Sequence, residues 1–302
     1  MASATGGAPS QGRDMQQTQY AAPRSIDEAV KLMVDAEGRG RILAGGTDLL
    51  VQMRAGNAAP GMIVDVKRIA EMTGIVAEGG GFRIGAAVPA AAIGEHAALR
   101  HAWPGVVEAI TLIGSKQVQG RASAGGNLCN ASPAADSAPA LVAAGAVLTV
   151  QGPRGRRELP VETLQSGPGR TTLERGELVV SIALPARPPR ASDAYLRLIP
   201  RTEMDIAVVG CGVSLALDGD VCVAARVGLG AVAPTVLLVE AAGAALVGST
   251  LDAAALARAA AACRAACRPI DDKRGTVAYR TKIAGVLLQR ATAIAAARAK
   301  GA

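Results

Sequence analysis

The spacing of apolar positions changes several times along the chain, and each change marks an element. Ile26, Ala29, Val30 and Met33 recur at helical intervals. They follow Ser25-Ile26-Asp27-Glu28, a capping box in which Ser25 caps and Glu28 reaches back. Gly38 and Gly40 end that helix. A short apolar strand at 41–44 runs into Gly45-Gly46, Leu49, Leu50 and Met53 predict a short helix, and 62–66 reads as a strand. Gly79-Gly80-Gly81 turns the chain into a strand at 82–88, helical stretches follow at 90–99 and 106–113, and a polar loop covers 114–127. A helix at 138–144 leads to a strand at 146–150. Gly152-Pro153-Arg154-Gly155 then signals a hairpin, with Arg154, Arg156 and Arg157 on its solvated side.

The run Pro185-Ala-Arg-Pro-Pro-Arg190 is a rigid polar break, and a domain boundary is expected there. Beyond it the pattern reads as strands at 194–198, 206–217 and 221–229, with Asp218-Gly219-Asp220 as a tight hairpin turn. Helices are expected at 236–246, 251–267 and 277–298. Strands followed by helices point to an α+β arrangement. Order is expected to begin near Tyr20. The small, polar stretch 1–19 lacks the apolar core of a secretory signal and reads as a disordered tail.

Composition narrows the function classes. Half of the 302 residues are hydrophobic, so a sizeable core can form, yet there are only one Trp, one Phe and three Tyr. The net charge of +7 is spread along the chain, and few aromatics exist on which bases could stack. Nucleic-acid binding is therefore not supported. The basic surplus fits a solvated surface or one docked on an acidic partner. The five cysteines match neither a disulfide framework nor a paired-cysteine metal site, and Cys263 and Cys267 share one helical face as small apolar residues. This usage fits a reducing cytoplasm. No apolar stretch long enough to span a membrane is present.

Two glycine turns carry the chemistry. Ala44-Gly45-Gly46-Thr47-Asp48-Leu49 follows a strand, and Ser123-Ala124-Gly125-Gly126-Asn127 lies about 80 residues further on. Such turns let backbone approach a ligand closely, and successive N–H groups form a concave nest for anions. A helix starting just beyond adds its positive end. Facing each other, two nests could hold both phosphates of a dinucleotide. Thr47, Ser123 and Asn127 add donors, and Asp136 is an acceptor suited to sugar or ribityl hydroxyls. With 36 glycines in the chain, a single Gly-Gly turn is more often structural. Neither turn is followed by Gly-Lys-Ser/Thr, neither is GxGxxG, and Gly228-Leu229-Gly230 lacks the third glycine of a nicotinamide site.

The residues around these glycines are more specific than the glycines. Residues 41–53 (RILAGGTDLLVQM) and 114–145 (GSKQVQGRASAGGNLCNASPAADSAPALVAAG) resemble the two FAD loops of the molybdenum hydroxylase flavoprotein family. Residues 177–185 (ELVVSIALP), 201–207 (RTEMDIA) and 271–280 (DDKRGTVAYR) resemble three further family segments in order. The resemblance runs from about Tyr20 to the C-terminus. It implies an α+β fold with an FAD-binding part of the vanillyl-alcohol-oxidase or PCMH type over 20–187, in two α/β lobes at about 20–73 and 74–187. It also implies a C-terminal domain over 191–302 in which a three-stranded antiparallel sheet packs on helices.

By the same resemblance, Ile42, Leu43, Ala44, Gly45, Gly46, Thr47, Asp48 and Leu49 would line the first pyrophosphate loop. Ser123, Ala124, Gly125, Gly126 and Asn127 would form the second, and Asp136 would accept from FAD hydroxyls. Ile113 stands where relatives can place an aromatic, Val179 would contact the flavin through its backbone, and Arg197 stands where relatives often carry Lys near the ring. Cys129, just past the second loop, reads as a packing residue ahead of a redox one. His96 and His101 lie outside the loops and read as surface or packing residues.

The implied function is that of an FAD-carrying electron-transfer subunit. A large partner would hold the molybdenum cofactor and a small partner two 2Fe–2S clusters, in a heterotrimer or its dimer. Electrons would pass from the clusters to FAD and on to an external acceptor. The alternative is a self-sufficient FAD oxidase of related fold, for which the roughly 110 residues after Arg190 leave little substrate domain. The substrate is not legible here, because in this family it binds the molybdenum subunit.

Overall fold

The computed structural model describes residues 18–202 and 204–301. The expected disordered tail lies largely outside the described residues. At its near end Gln19 already belongs to strand β1 (Gln19–Ala21), and Thr18 donates to the Pro60 carbonyl at 2.9 Å.

Helix α1 (Ile26–Asp35) starts where the capping box predicts, with the Ser25 hydroxyl accepting from the Glu28 amide at 3.2 Å. Glu28 reaches back one residue further than expected, accepting from the Arg24 amide at 2.9 Å. The helix buries Ile26, Ala29 and Val30 against the first sheet, of β1, β2 (Gly40–Leu43) and β3. The short helix α2 (Leu49–Arg54) lies between the last two strands, and β3 (Met62–Asp65) sits at the sheet's centre, parallel to both neighbours.

Helix α3 (Ala70–Thr73) leads to β4 (Ile75–Glu78) and β5 (Gly81–Gly85). The helical stretch expected over 90–99 is two helices, α4 (Ala90–Glu95) and α5 (Ala97–Ala102). His96 breaks it: in an extended conformation, its Nδ1 accepts from the Leu99 amide at 3.1 Å and caps α5. Its ring meets Phe82 edge-on, which accounts for one of the two histidines by packing. Helix α6 (Pro104–Ile110) follows. The expected polar loop over 114–127 holds two short helices, α7 (Lys116–Gln119) and α8 (Ala124–Cys129).

Helix α9 (Ser137–Ala144) is buried along its whole length and ends at Gly145 in the left-handed conformation (φ 68°). A helix apolar all round must be covered all round. On one side it shares an apolar core with the second sheet, whose order is β4-β5-β10-β6-β7. These include the expected hairpin β6 (Val147–Gly152) and β7 (Gly155–Pro160); the small ribbon β8 (Gln165–Gly167) and β9 (Arg170–Thr171) precedes β10 (Leu178–Leu184). Residues 185–190 then cross to the last sheet without forming helix or strand.

That sheet contains β11 (Ala191–Leu198), β12 (Val209–Asp218) and β13 (Val221–Gly230), antiparallel in sequence order as expected. A fourth strand, β14 (Leu237–Leu238), adds to β13. The helix expected from 236 therefore begins later, as α10 (Glu240–Leu246). Helices α11 (Ala253–Ala266) and α12 (Val277–Lys300) complete the layer, and a second apolar core containing Cys211, Cys222, Cys263 and Cys267 lies between helices and sheet.

Gly228-Leu229-Gly230, a poor dinucleotide motif, has a packing role. Gly212 pairs with Gly228 and Gly210 with Gly230 across β12 and β13. A Cβ at Gly228 would stand 2.2 Å from the Pro139 carbonyl oxygen, and one at Gly230 2.6 Å from its ring. The glycine window lets α9 seat its backbone directly on the C-terminal sheet.

Candidate functional site

Both glycine turns border one cleft of about 640 Å³, within the range of small-molecule and cofactor sites. The first turn contributes Ile42 and the run Ala44, Gly45, Gly46, Thr47, Asp48 and Leu49. The second contributes Ser123, Gly125, Gly126 and Asn127, while Ile113 and Val179 stand on the remaining walls. Of the residues expected to bind, Leu43, Ala124, Asp136 and Arg197 are not among the lining residues.

The turns touch. A Cβ on Gly45 would lie 1.9 Å from the Arg121 carbonyl oxygen, so only glycine lets the first turn cross the strand-like approach to the second. Gly46 has φ +80°, which favours glycine on conformational grounds. Gly125 faces protein too, since its Cβ would meet the Ala86 carbonyl oxygen at 2.4 Å. Gly126 differs: its Cβ would meet only Ser123 Oγ, at 3.1 Å, and the residue lines the cleft. The two glycines of the second turn thus divide the work expected of both, Gly125 closing on the protein and Gly126 leaving room in the cleft.

The second turn is a helix start rather than a loop. Ser123 Oγ accepts from the Gly126 amide at 3.1 Å and caps α8, whose first-turn amides have no intrahelical acceptor. Asn127 accepts through Oδ1 from Ser137 Oγ (2.7 Å) and the Ser137 amide (3.3 Å), which leaves its NH2 group as the donor for the cleft. Helix α2 also begins at the cleft, so the positive ends of two short helices adjoin it. Gln52 Nε2 donates to Asn130 Oδ1 at 2.9 Å and ties the two helices together.

Sequence reasoning missed the supports. Lys67 Nζ donates to the Ala44 carbonyl at 3.0 Å and to Asp65 Oδ1 at 2.7 Å, while the Tyr20 hydroxyl donates to Asp65 Oδ2 at 2.7 Å. This chain fixes the first turn from behind. These hydrogen bonds hold the Asp65 carboxyl below its ordinary range against the opposing effect of burial. A further wall runs from Gly169 to Val179; only Val179 was expected there. A bulge in β10 between Val179 and Ser181 shifts its register beside the cleft. Glu177, on this wall, forms a two-pronged pair with Arg157, both contacts 2.7 Å, and its carboxyl is held below the usual range by Arg157. The chain turns into this part of the wall at Gly176, with φ +84°.

Asp136 and Arg197 sit one layer behind the walls and satisfy each other. Arg197 donates to Asp136 Oδ2 at 2.7 Å and the Tyr195 hydroxyl to Oδ1 at 3.1 Å. Arg197 is therefore committed to an ion pair in this structure, because a buried charge needs a partner. Burial raises the Asp136 carboxyl despite that arginine. Cys129 lines the cleft, and burial of its thiol pushes it up to about 12. Such a thiol is a poor nucleophile, which accords with packing. Among the described residues no three His, Cys, Asp or Glu side chains gather to hold a metal, and no helix is long and apolar enough to cross a membrane.

The donor set fits a dinucleotide: two helix starts, a cradle at Gly126 that a Cβ would fill, and Arg41 and Arg175 on the walls. Family comparison agrees. Residues 15–187 match the FAD binding domain in molybdopterin dehydrogenase, and 184–295 the CO dehydrogenase flavoprotein C-terminal domain. The carbon monoxide dehydrogenase medium chain of Afipia carboxidovorans is 37% identical over 281 residues, 93% of this chain and 97% of that one. A putative xanthine dehydrogenase FAD-binding subunit of Escherichia coli is 34% identical over 218 residues, 72% and 74% of the two chains. Among solved structures, reconstituted CO dehydrogenase from Oligotropha carboxidovorans superposes with a TM-score of 0.90 at 36% identity, covering 93% of this chain and 98% of that one. Quinoline 2-oxidoreductase from Pseudomonas putida gives 0.85 at 26% identity, with the same coverage. The chain belongs to the FAD-binding subunits of the molybdenum hydroxylase family, with an FAD-binding domain followed by a CO dehydrogenase flavoprotein C-terminal domain.

Proposed function

We propose that this chain is the electron-transfer subunit of a molybdenum-dependent dehydrogenase, taking electrons from 2Fe–2S clusters of a partner subunit and passing them to an external acceptor. The observation that carries the reading is the meeting of two glycine turns on one cleft, with Gly126 open toward it. FAD, when bound, supplies the redox chemistry; the protein supplies binding, orientation and electrostatics.

The chain's own residues would divide the binding. Backbone amides of Gly46 and Thr47 and of the α8 start would hold the diphosphate, with Ser123 and Asn127 adding side-chain donors. Lys67 fixes the first turn through Ala44, and the Arg157–Glu177 pair fixes the opposite wall. Asp136 and Arg197 are proposed to serve the sugar or ribityl end and the ring end, joined to the cleft through Ser137 and Asn127. A large molybdenum subunit and a small iron–sulfur subunit are the partners this division of labour requires.

The test is purification of the tagged chain from its own host. Near-equimolar FAD with co-purifying iron and molybdenum is expected, and dye reduction should need the partners. Turnover of an organic donor by the isolated chain would instead establish the self-sufficient oxidase.

A further inference from the structure

Helix α9 opens without a cap from its own capping residue. Asp136 stands at that position, yet its carboxylate makes no bond to the helix, because Arg197 and Tyr195 of β11 engage both its oxygens. The first amides of a helix have no intrahelical acceptor and must find one elsewhere. The Ser137 amide finds Asn127 Oδ1 at 3.3 Å, and the Ser137 hydroxyl donates to the same oxygen at 2.7 Å. The acceptor that Asp136 does not supply therefore comes from the second glycine turn.

An asparagine side chain can be turned end for end with little change in shape, exchanging donor for acceptor. Asn127 lines the cleft, so its two orientations would offer a bound cofactor opposite chemistry. Turning the amide over would set its NH2 group against the Ser137 N–H, donor against donor. The backbone of Ser137 thus sets the direction, and its hydroxyl, at the shorter distance, holds the side chain in place.

The anchor is itself fixed. Ser137 is fully buried, and Pro139, two residues on, is seated in the glycine window of the C-terminal sheet. A donor held ready for its ligand costs less ordering on binding than one that must be fixed as the ligand arrives.

We propose that Ser137 is a positioning residue for FAD, holding the Asn127 amide with its NH2 group turned to the cleft. The inference rests on the reading above, in which Asn127 donates to the bound cofactor, and adds what makes that donor ready. Through α9 the C-terminal sheet, none of whose described residues lines the cleft, bears on the cofactor site.

The test removes flavin from the full chain purified from its own host and titrates FAD back. Ser137→Ala is expected to raise the FAD dissociation constant about fivefold, the loss of one neutral hydrogen bond carried into binding. The flavin-free variant should melt within a few degrees of the parent. Asn127→Ala should raise the constant at least as much. Ser137→Ala added to Asn127→Ala should then change it no further, because the side chain that Ser137 serves is gone. A purely structural serine would instead lower affinity equally in both backgrounds. That outcome, or parent affinity in Ser137→Ala, overturns the positioning role alone. Parent affinity in Asn127→Ala, or a parent chain that takes up no FAD, overturns the placement of the cofactor on the second turn and this inference with it.

Discussion

The Asp193 carboxylate, on the first strand of the C-terminal sheet, accepts a hydrogen bond from the Val106 amide at 2.9 Å and so caps helix α6 of the preceding region. Its other oxygen pairs with Arg187 at 2.9 Å. Arg187 in turn lies over the Trp103 ring, 3.8 Å from its centroid, and donates to the Ala102 carbonyl. The segment that crosses between the sheets is thus fastened at the start of α6 by charge, stacking and a helix cap together.

Removing Asp193 would leave a buried arginine uncompensated and a helix start uncapped. Asp193→Ala is expected to cost about 3–5 kcal/mol, the range for breaking a buried ion pair by deleting one partner. Urea denaturation of the two proteins measures it. Adding Arg187→Met to that variant should recover part of the loss, because the stranded charge goes with it; a double variant no more stable than Asp193→Ala would show that the cap alone matters.

Gly126 and Gly45 should respond oppositely to a side chain. At Gly126 a Cβ would meet only Ser123 Oγ, so Gly126→Val should fold with a melting temperature within a few degrees of the parent and lose bound FAD. Gly45→Ala forces a Cβ onto the Arg121 carbonyl oxygen and should destabilise by about 1–3 kcal/mol or more, as overpacking does. Flavin absorbance per chain and thermal melts separate the two. Full flavin content in Gly126→Val would remove the phosphates from this turn.

What the sequence disclosed and what it hid divide along physical lines. Local signals survived: the capping box at Ser25, the hairpin at Pro153-Arg154 and the strand patterns of the last sheet all describe near-neighbour geometry. The glycine turns could be placed on one cleft only through a resemblance, since the 80 residues between them carry no distance information. Glu177, Lys67 and Gln52 were invisible for the same reason, as each acts through a partner far along the chain or on another element. Arg197 was legible as a positive charge, but not the Asp136 and Tyr195 groups that engage it.

Glu177 sets an acid limit. Its carboxyl is held below the usual range by Arg157, with the Glu174 amide adding a bond at 2.8 Å. A depressed folded value means that its stabilisation is complete above the unfolded value, about 4.3, and is lost as pH falls through the folded one. Glu177→Gln should therefore be less stable than the parent by about 1–2 kcal/mol at pH 7. That is the low end for bonds between charged groups, because the Arg157 side chain is 37% exposed. The gap should hold down to about pH 5 and close below about pH 4. Urea midpoints at several pH values would show it, and a gap independent of pH would mean that the pair contributes by packing alone.

Lys67 offers the most direct test of how the first turn is held. Its ammonium spans the Ala44 carbonyl and Asp65, so Lys67→Met frees the turn without adding bulk to the cleft. Losing a hydrogen bond from a charged donor costs about 1.5–3 kcal/mol, and part of that loss should appear as disorder in the turn rather than global instability. Each 1.4 kcal/mol carried into binding is a tenfold change, so a rise in FAD dissociation constant of about tenfold is expected, with a small change in melting temperature. Lys67→Arg retains a donor and should restore part of the affinity. Titration of flavin-stripped chain with FAD, followed by flavin fluorescence, gives the constants; equal affinity in parent and Lys67→Met would mean that the turn keeps its shape without this support.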